Sequence, residues 1–401
     1  MKLQYFTKRC ISIIHFLKRA EELKGSLLND RHFLHMHPEI GNDLPETTKY
    51  VMQRLTEIGL EPKEICKSGV VAVIEGKKPG KTYLLRADMD ALPMPEINDL
   101  PCNPHSCNAH NCGHDMHTAM LLCAAQMLKE KEDELCGTVK LMFQPAEEQF
   151  KGSPAMIEAG VLENPKVDAA SAKHVMLDWN VGSYGCRPGY MTSSCDGFKI
   201  TVHGKGCHGA MPDTGIDPIN VGIHIYQAFQ NLMAREKGPK QTACLTLGQF
   251  AAGESPNIIP NDCVLQGTMR TYDKALREKL YKRMHEIVDA AGPMFGATID
   301  YEVLSSVPSC YTNPEMLKEV REYLKGLTGE DMCADDTYMV TPSDDVAFLS
   351  EHVALTYLML GAKVEGNPYG HHNPRVLFNE DCMPLGAAMH AQCAFEWLKN
   401  H

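Results

Sequence analysis

Along the chain the spacing of apolar positions changes several times. Runs rich in β-branched and apolar residues, GVVAVIEG (69–76), TYLLRADMD (82–90), GTVKLMFQPAE (137–147) and VDAASAKHVM (167–176), predict strands. Between them HTAMLLCAAQMLKEKEDEL (117–135) repeats its apolar residues at helical spacing and ends in charge, and SPAMIEAGVLE (153–163) reads as a shorter helix. Strand–helix–strand alternation implies an α/β unit with a mostly parallel sheet covered by helices on both faces. Near 188 the character changes: DGFKITVHGK (196–205) alternates as a half-solvated strand does, and DPINVGIHIYQAFQNLMAREK (217–237) is an amphipathic helix. Two strands (244–253 and 262–273), a helix (274–296) and a strand (297–303) complete a β-α-β-β-α-β run, which predicts a smaller ferredoxin-like α+β domain. After 305 the first pattern returns, with a helix at 314–326, a strand at 354–362 and a final helix at 381–400. The expected organisation is a catalytic-type domain, 1–187 and 305–401, interrupted by an inserted domain, 188–304.

Length supports the division, since 401 residues exceed what one core usually holds. The N-terminal segment has an apolar run, CISII, shorter than an export signal needs, whereas Ile13, Phe16, Leu17, Ala20 and Leu23 fall at helical spacing. An amphipathic helix is expected there. No stretch approaches the ~20 apolar residues of a membrane span, so a cytoplasmic protein with no membrane partner is expected. A net charge of −12 without a basic run excludes a nucleic-acid surface. The sixteen cysteines are scattered, several within apolar periodic stretches (Cys123, Cys393), and read as reduced core thiols.

The densest chemistry is NAHNCGHDMH (108–117), three imidazoles, a thiol and a carboxylate in ten positions. Cys112 and His114 flank Gly113, which permits a tight turn, so both can face one ion or a close pair. Glu147 and Glu148 follow a strand and Pro145, His174 stands at the end of the next strand, Asp88 and Asp90 end another, and His371 and His372 precede the final helix. Strand C-termini are where an α/β sheet places its ligand crevice. Three readings stay open on these residues alone: a metal site, a Cys112 nucleophile with His114 or His117 as its base, or polar loops.

From HMHPEIG (35–41) to LGAAM (385–389) the chain resembles the peptidase-M20-type amidohydrolases, in particular the N-acyl-amino-acid amidohydrolase branch that includes hippurate hydrolases, bacterial aminoacylases and auxin-conjugate hydrolases. The resemblance is carried by RADMDALP, HNCGHDMHTAM, FQPAEE, HGKGCHGAMPDTGIDP, NIIPND, GTMRT and HHNPR…NEDCMPLGAA, in that order. It implies two divalent ions, Mn, Zn, Co or Ni, on Cys112, His114, Glu148, His174 and His372, with Glu147 as general base and a catalytic aspartate at Asp88 or Asp90. It also implies that His208 of the inserted domain serves the oxyanion, across a dimer in several members, and that Asn257 and Arg270 face the carboxylate of a small N-acyl amino acid. A dipeptidase or carboxypeptidase shares the same chemistry. The chain departs from the family pattern at Asp344 and Val346, at Cys207 before His208, and at Lys173 before His174.

Overall fold

Eight strands build the sheet of the first unit: β1 (Lys63–Cys66), β2 (Gly69–Glu75), β3 (Lys78–Asp88), β4 (Cys136–Gln144), β5 (Ala169–Met176), β6 (Tyr184–Gly185), β7 (Cys333–Asp335) and β8 (Ala354–Gly361). Their order is β1-β2-β4-β3-β5-β8-β6-β7. The centre, β4-β3-β5-β8, is parallel, as the alternation of strands and helices implies, while β1, β2 and β6 pair antiparallel toward the edges. The computed structural model describes residues 16–401, and the part of the expected N-terminal helix around Ile13 lies outside them. Within them 16–22 are helical, with Phe16 and Ala20 in the core.

Helix α1 (Lys24–Met36), α2 (Pro45–Glu57), α3 (His114–Lys129), α4 (Gly152–Glu158), α5 (Pro314–Thr328) and α6 (Met383–Asn400) belong to the same unit. α6 is buried at every position from Met383 to Leu398, and α3 at nearly every position from His114 to Leu128. Helices apolar on all sides belong inside a layered core. α3 starts three residues before the apolar pattern does, because Gly113 adopts a left-handed φ of 90° and turns the chain directly into helix. It stops at Lys129, since the charged stretch after it has no apolar face to bury. α2 escapes the apolar pattern because its buried stripe includes Thr47 and Thr48 beside Val51 and Leu55.

The second unit spans Thr192–Cys310 and Val340–Ser343. Its antiparallel sheet runs Ala243–Ala251, Asp262–Thr271, Cys195–His203, Thr298–Val307, the order expected of a ferredoxin-like β-α-β-β-α-β chain. Its helices Pro218–Asn231 and Lys274–Phe295 place Val221, Ile225, Phe229, Leu280, Met284 and Val288 against Phe198, Ile200, Val202 and Leu265. The described cysteines are all free thiols. Among the described residues no helix is long and apolar enough to cross a membrane.

Candidate metal centre

In the first unit the ends of β3, β4 and β5 and the start of α3 bring the ligand-type residues together. Gly113 is what lets Cys112 and His114 straddle the turn: a Cβ there would sit 2.5 Å from Val175 Cγ2. Ala146 (φ 52°) and His372 (φ 59°) also occupy the left-handed region, so three turns at this place hold conformations most residues avoid. The Ala146 turn breaks the strand alternation after Pro145, so the adjacent Glu147 and Glu148 both contribute oxygens within reach of His114.

Among the described residues five sets of donor atoms converge, each within 4.8 Å, and two of them contain the thiol: Cys112, His114 and His174, and Cys112, Glu148 and His372. Cys112 belongs to both. The Cys112 thiol is 3.4 Å from His174 Nε2, and His372 Nε2 is 3.3 Å from Glu148 Oε1. The histidines are oriented by their other nitrogens. His114 Nδ1–H donates to the Asp90 carbonyl at 2.8 Å, and His174 Nδ1–H to the Val175 carbonyl at 2.7 Å, leaving Nε2 of each as a lone-pair donor. His114 Nε2 is buried without a hydrogen-bond partner. Buried polar atoms rarely go unpaired, and a thiol, three imidazoles and a carboxylate are the donor set of a borderline-soft divalent cation. The residues fit such an ion. Electrostatics agree: burial opposes charge on His114, yet Asp88 and Cys112 outweigh it and raise its proton affinity well above the ordinary value. His372 is pushed up to about 10 by Cys112 and Glu148. The site favours positive charge.

The aspartates divide their tasks. The Asp90 carboxylate accepts the backbone N–H of Glu147 at 2.9 Å and of Glu148 at 3.2 Å, so it holds the glutamate turn. Asp88 faces Arg86 Nη1 at 2.7 Å and His117 Nδ1 at 2.6 Å. Burial opposes its ionisation, but Arg86, His114 and His117 hold it well below the usual carboxylate range. Glu147 lies 3.8 Å from His114 Nε2; burial, then Asp344 and Glu148, raise its proton affinity well above that of an ordinary glutamate.

Sequence reasoning overlooked Arg86. Its guanidinium is fully buried and donates to Gln144, Asp88, Asp344 and Asp345. The signal was an arginine inside the apolar strand TYLLRAD, since a buried arginine requires carboxylates. His117 is also committed: its Nδ1–H donates to Asp88 and its Nε2 accepts the Val175 N–H at 2.9 Å. With both nitrogens used it cannot serve as the base of a Cys112 nucleophile. His371 donates Nε2–H to the Val175 carbonyl at 2.9 Å, so of the histidine pair it is His372 that meets Glu148.

The remaining expected residues lie in the second unit. The short ladder Cys207–His208 with Ile258–Ile259 sets His208 opposite Ile258 and next to Asn257, whose carbonyl accepts the Gly209 N–H. The Ala210 N–H donates to His208 Nδ1 at 3.1 Å, which leaves Nε2–H as the outward donor of an exposed ring. Arg270 Nη1 donates to Ser343 Oγ at 2.8 Å.

Residues 84–396 match the family model described as peptidase family M20/M25/M40, and the chain belongs to that family of metal-dependent hydrolases. Within it, the chain is 35% identical over 386 residues to thermostable carboxypeptidase 1 of Saccharolobus solfataricus, covering 94% of this chain and 97% of that protein. It is 33% identical to the hippurate hydrolase of Campylobacter jejuni, covering 94% and 98%. Among solved structures, the Bacillus subtilis YXEP protein, described as a dinuclear metal-binding peptidase of family M20, superposes with a TM-score of 0.81 at 29% identity, covering 95% of this chain and 100% of that one.

Proposed function

We propose that this chain hydrolyses N-acyl amino acids to a carboxylic acid and a free amino acid, with two divalent cations, Mn, Zn, Co or Ni, on Cys112, His114, Glu148, His174 and His372. One observation carries the two-ion reading: Cys112 is shared by two donor sets, one completed by His114 and His174, the other by Glu148 and His372. Such cations act as Lewis acids and lower the pKa of water toward ~7. Glu147 takes the proton of the attacking water and hands it to the leaving amine, a task for a carboxylate within reach of His114 and Glu148 but outside the two sets that contain Cys112. Asp90 is the positioning aspartate, fixing Glu147 and Glu148 through their amides. Asp88 keeps His117 and, through it, the Val175 backbone in place.

His208 is proposed to donate from Nε2–H to the oxyanion, and Asn257 and Arg270 to receive the substrate carboxylate, for which a guanidinium suits better than an ammonium. The division of the chain into a catalytic part and an inserted lid or dimerisation part belongs to the same reading. Supporting a homodimer, the edge strand Ala243–Ala251 exposes Phe250 and the helix Pro218–Asn231 exposes Ile223 and Tyr226. A cytoplasmic location accompanies the free thiols. The second reading, a carboxypeptidase or dipeptidase, is favoured by the name of the Saccharolobus relative. Metal-loaded protein assayed for amine release against N-acetyl-, N-benzoyl- and long-chain N-acyl amino acids and against dipeptides separates the two. Turnover of the acyl series is expected; cleavage of dipeptides alone would establish the second reading.

A further inference from the structure

Away from the metal centre, at the β6–β7 edge of the first unit, Cys186 Sγ and Cys333 Sγ lie 3.5 Å apart. The backbone holds them there. β6 and β7 pair in parallel, with the Tyr184 N–H donating to the Met332 carbonyl at 3.1 Å and the Cys186 N–H to the Asp335 carbonyl at 2.9 Å. Gly185, between Tyr184 and Cys186, has the Trp179 ring against it so closely that a Cβ would come within 2.1 Å. The two thiols are unequal. Cys186 is fully buried, whereas Cys333 is only half-buried and lies beside Arg321, whose guanidinium is fixed by Asp331 at 3.0 Å and Asp336 at 2.9 Å. The contact with Cys186 and the charge of Arg321 lower the Cys333 proton affinity against burial. A half-buried thiol in contact with a fully buried resolving thiol is the arrangement of a redox-responsive pair.

We propose that Cys186 and Cys333 form a reversible disulfide, a modification site for low-molecular-weight disulfides such as oxidised glutathione. The Cys333 thiolate attacks one sulfur of the oxidant, giving a mixed disulfide and releasing one thiolate. The Cys186 thiol, losing its proton to solvent, then attacks Cys333 Sγ and expels the second thiolate. Two protein thiols are oxidised, one external disulfide is reduced to two thiols, and the S–S bond needs the sulfurs to close from 3.5 Å to about 2.05 Å. The bond would join residues 147 apart in sequence and close the whole Thr192–Cys310 segment into a covalent loop rooted in the first unit.

Peptide chemistry makes the test direct, because trypsin, which does not cut Arg187–Pro188, leaves Cys333 alone in 326–363 and Cys186 with only Cys195 in 174–199, where fragmentation tells the two apart. Full-length, metal-loaded protein is equilibrated in glutathione buffers of increasing oxidised fraction, alkylated, digested and weighed. The exposed Cys107 and Cys244 report that the oxidant is active by acquiring glutathione. The expected product is the 174–199/326–363 linked peptide, joined through Cys186 with Cys195 alkylated, lighter by two hydrogens than its parts and restored to thiols by dithiothreitol. The oxidised protein should unfold at higher temperature than the reduced one. Cys333→Ser, with reduced-state unfolding like wild type, should abolish both effects, and Cys186→Ser should leave Cys333 carrying glutathione. Recovery of both peptides as alkylated thiols at every ratio that modifies Cys107 and Cys244 would overturn the proposal. So would glutathione on Cys333 of the wild-type protein without any linked peptide.

Discussion

Replacing Arg86 by methionine probes the charge balance beneath the metal centre. The fully buried guanidinium donates to Asp88 Oδ2 at 2.7 Å, Asp344 Oδ1 at 3.0 Å, Asp345 Oδ1 at 3.1 Å and Gln144 Oε1 at 2.8 Å. Methionine fills the volume but leaves three buried carboxyl groups without their cation. The cost is not three full penalties. Burial and Asp344 already push Asp345 up to about 8 against the pull of Arg86, so that group is neutral at pH 7. Neutral donors also remain: the Tyr357 hydroxyl and the Val346 N–H for Asp344, Gln144 Nε2 and the Ser153 N–H for Asp345, and His117 for Asp88. Asp88 and Asp344 share one cation in the wild type and have none in the variant, so one more buried charge goes uncompensated, about 3–5 kcal/mol of lost stability. Arg86→Lys, a single point charge without the planar fork, should fall between. Both tryptophans of the chain, Trp179 and Trp397, lie in the first unit, so urea unfolding of metal-depleted protein followed by tryptophan fluorescence reads this unit. An Arg86→Met protein within about 1 kcal/mol of wild type would refute the reasoning.

Three further outcomes are expected. Glu147→Gln should retain wild-type metal content while losing about 10²- to 10⁴-fold in kcat, checked by elemental analysis beside amine-release kinetics, because the amide keeps the turn but cannot carry a proton. Lys173→Met should raise stability by about 1–3 kcal/mol in the same urea assay, since the Lys173 Nζ is buried without a protein partner and methionine fills its volume. Stability should also fall between pH 6.5 and 9 through His35: burial disfavours its charge, but Asp115 and Glu96, at 2.8 Å each, raise it to about 9. A folded value above the unfolded one stabilises below 6.5 and is lost as pH rises through 9, about 3 kcal/mol in all. His35→Met should flatten that slope, and an unchanged slope would show the group is not responsible.

The fold was legible because its signals are local. Alternating and continuous apolar runs marked five of the eight strands of the first unit's sheet and all four of the second unit's, whose β-α-β-β-α-β order follows from them, whereas the short edge strands β1, β6 and β7 have too few residues to show a period. Boundaries were less so: α3 reaches back to His114 because of the Gly113 turn, and α2 hides behind a stripe containing Thr47 and Thr48. The ligand-type residues could be nominated from residue type and strand-end position. What sequence did not carry was their pairing. Asp88 and Asp90 are two residues apart and looked interchangeable, but one carboxylate accepts the glutamate amides and the other faces Arg86 and His117. Arg86 met Asp344 and Asp345 only through a sequence separation of more than 250 residues. That contact also gives the Asp344 departure from the family pattern a place, among the buried partners of an arginine.

The central claim is that Cys112, His114, Glu148, His174 and His372 together hold the cations on which hydrolysis depends. The most direct measurement is anomalous scattering from crystals of metal-loaded protein, collected at the absorption edge of the added ion. Two peaks are expected, both within bonding distance of Cys112 Sγ, about 2.3 Å for a zinc ion, one shared with His114 and His174 and the other with Glu148 and His372. Peaks elsewhere, or an active protein with none at these residues, would contradict it.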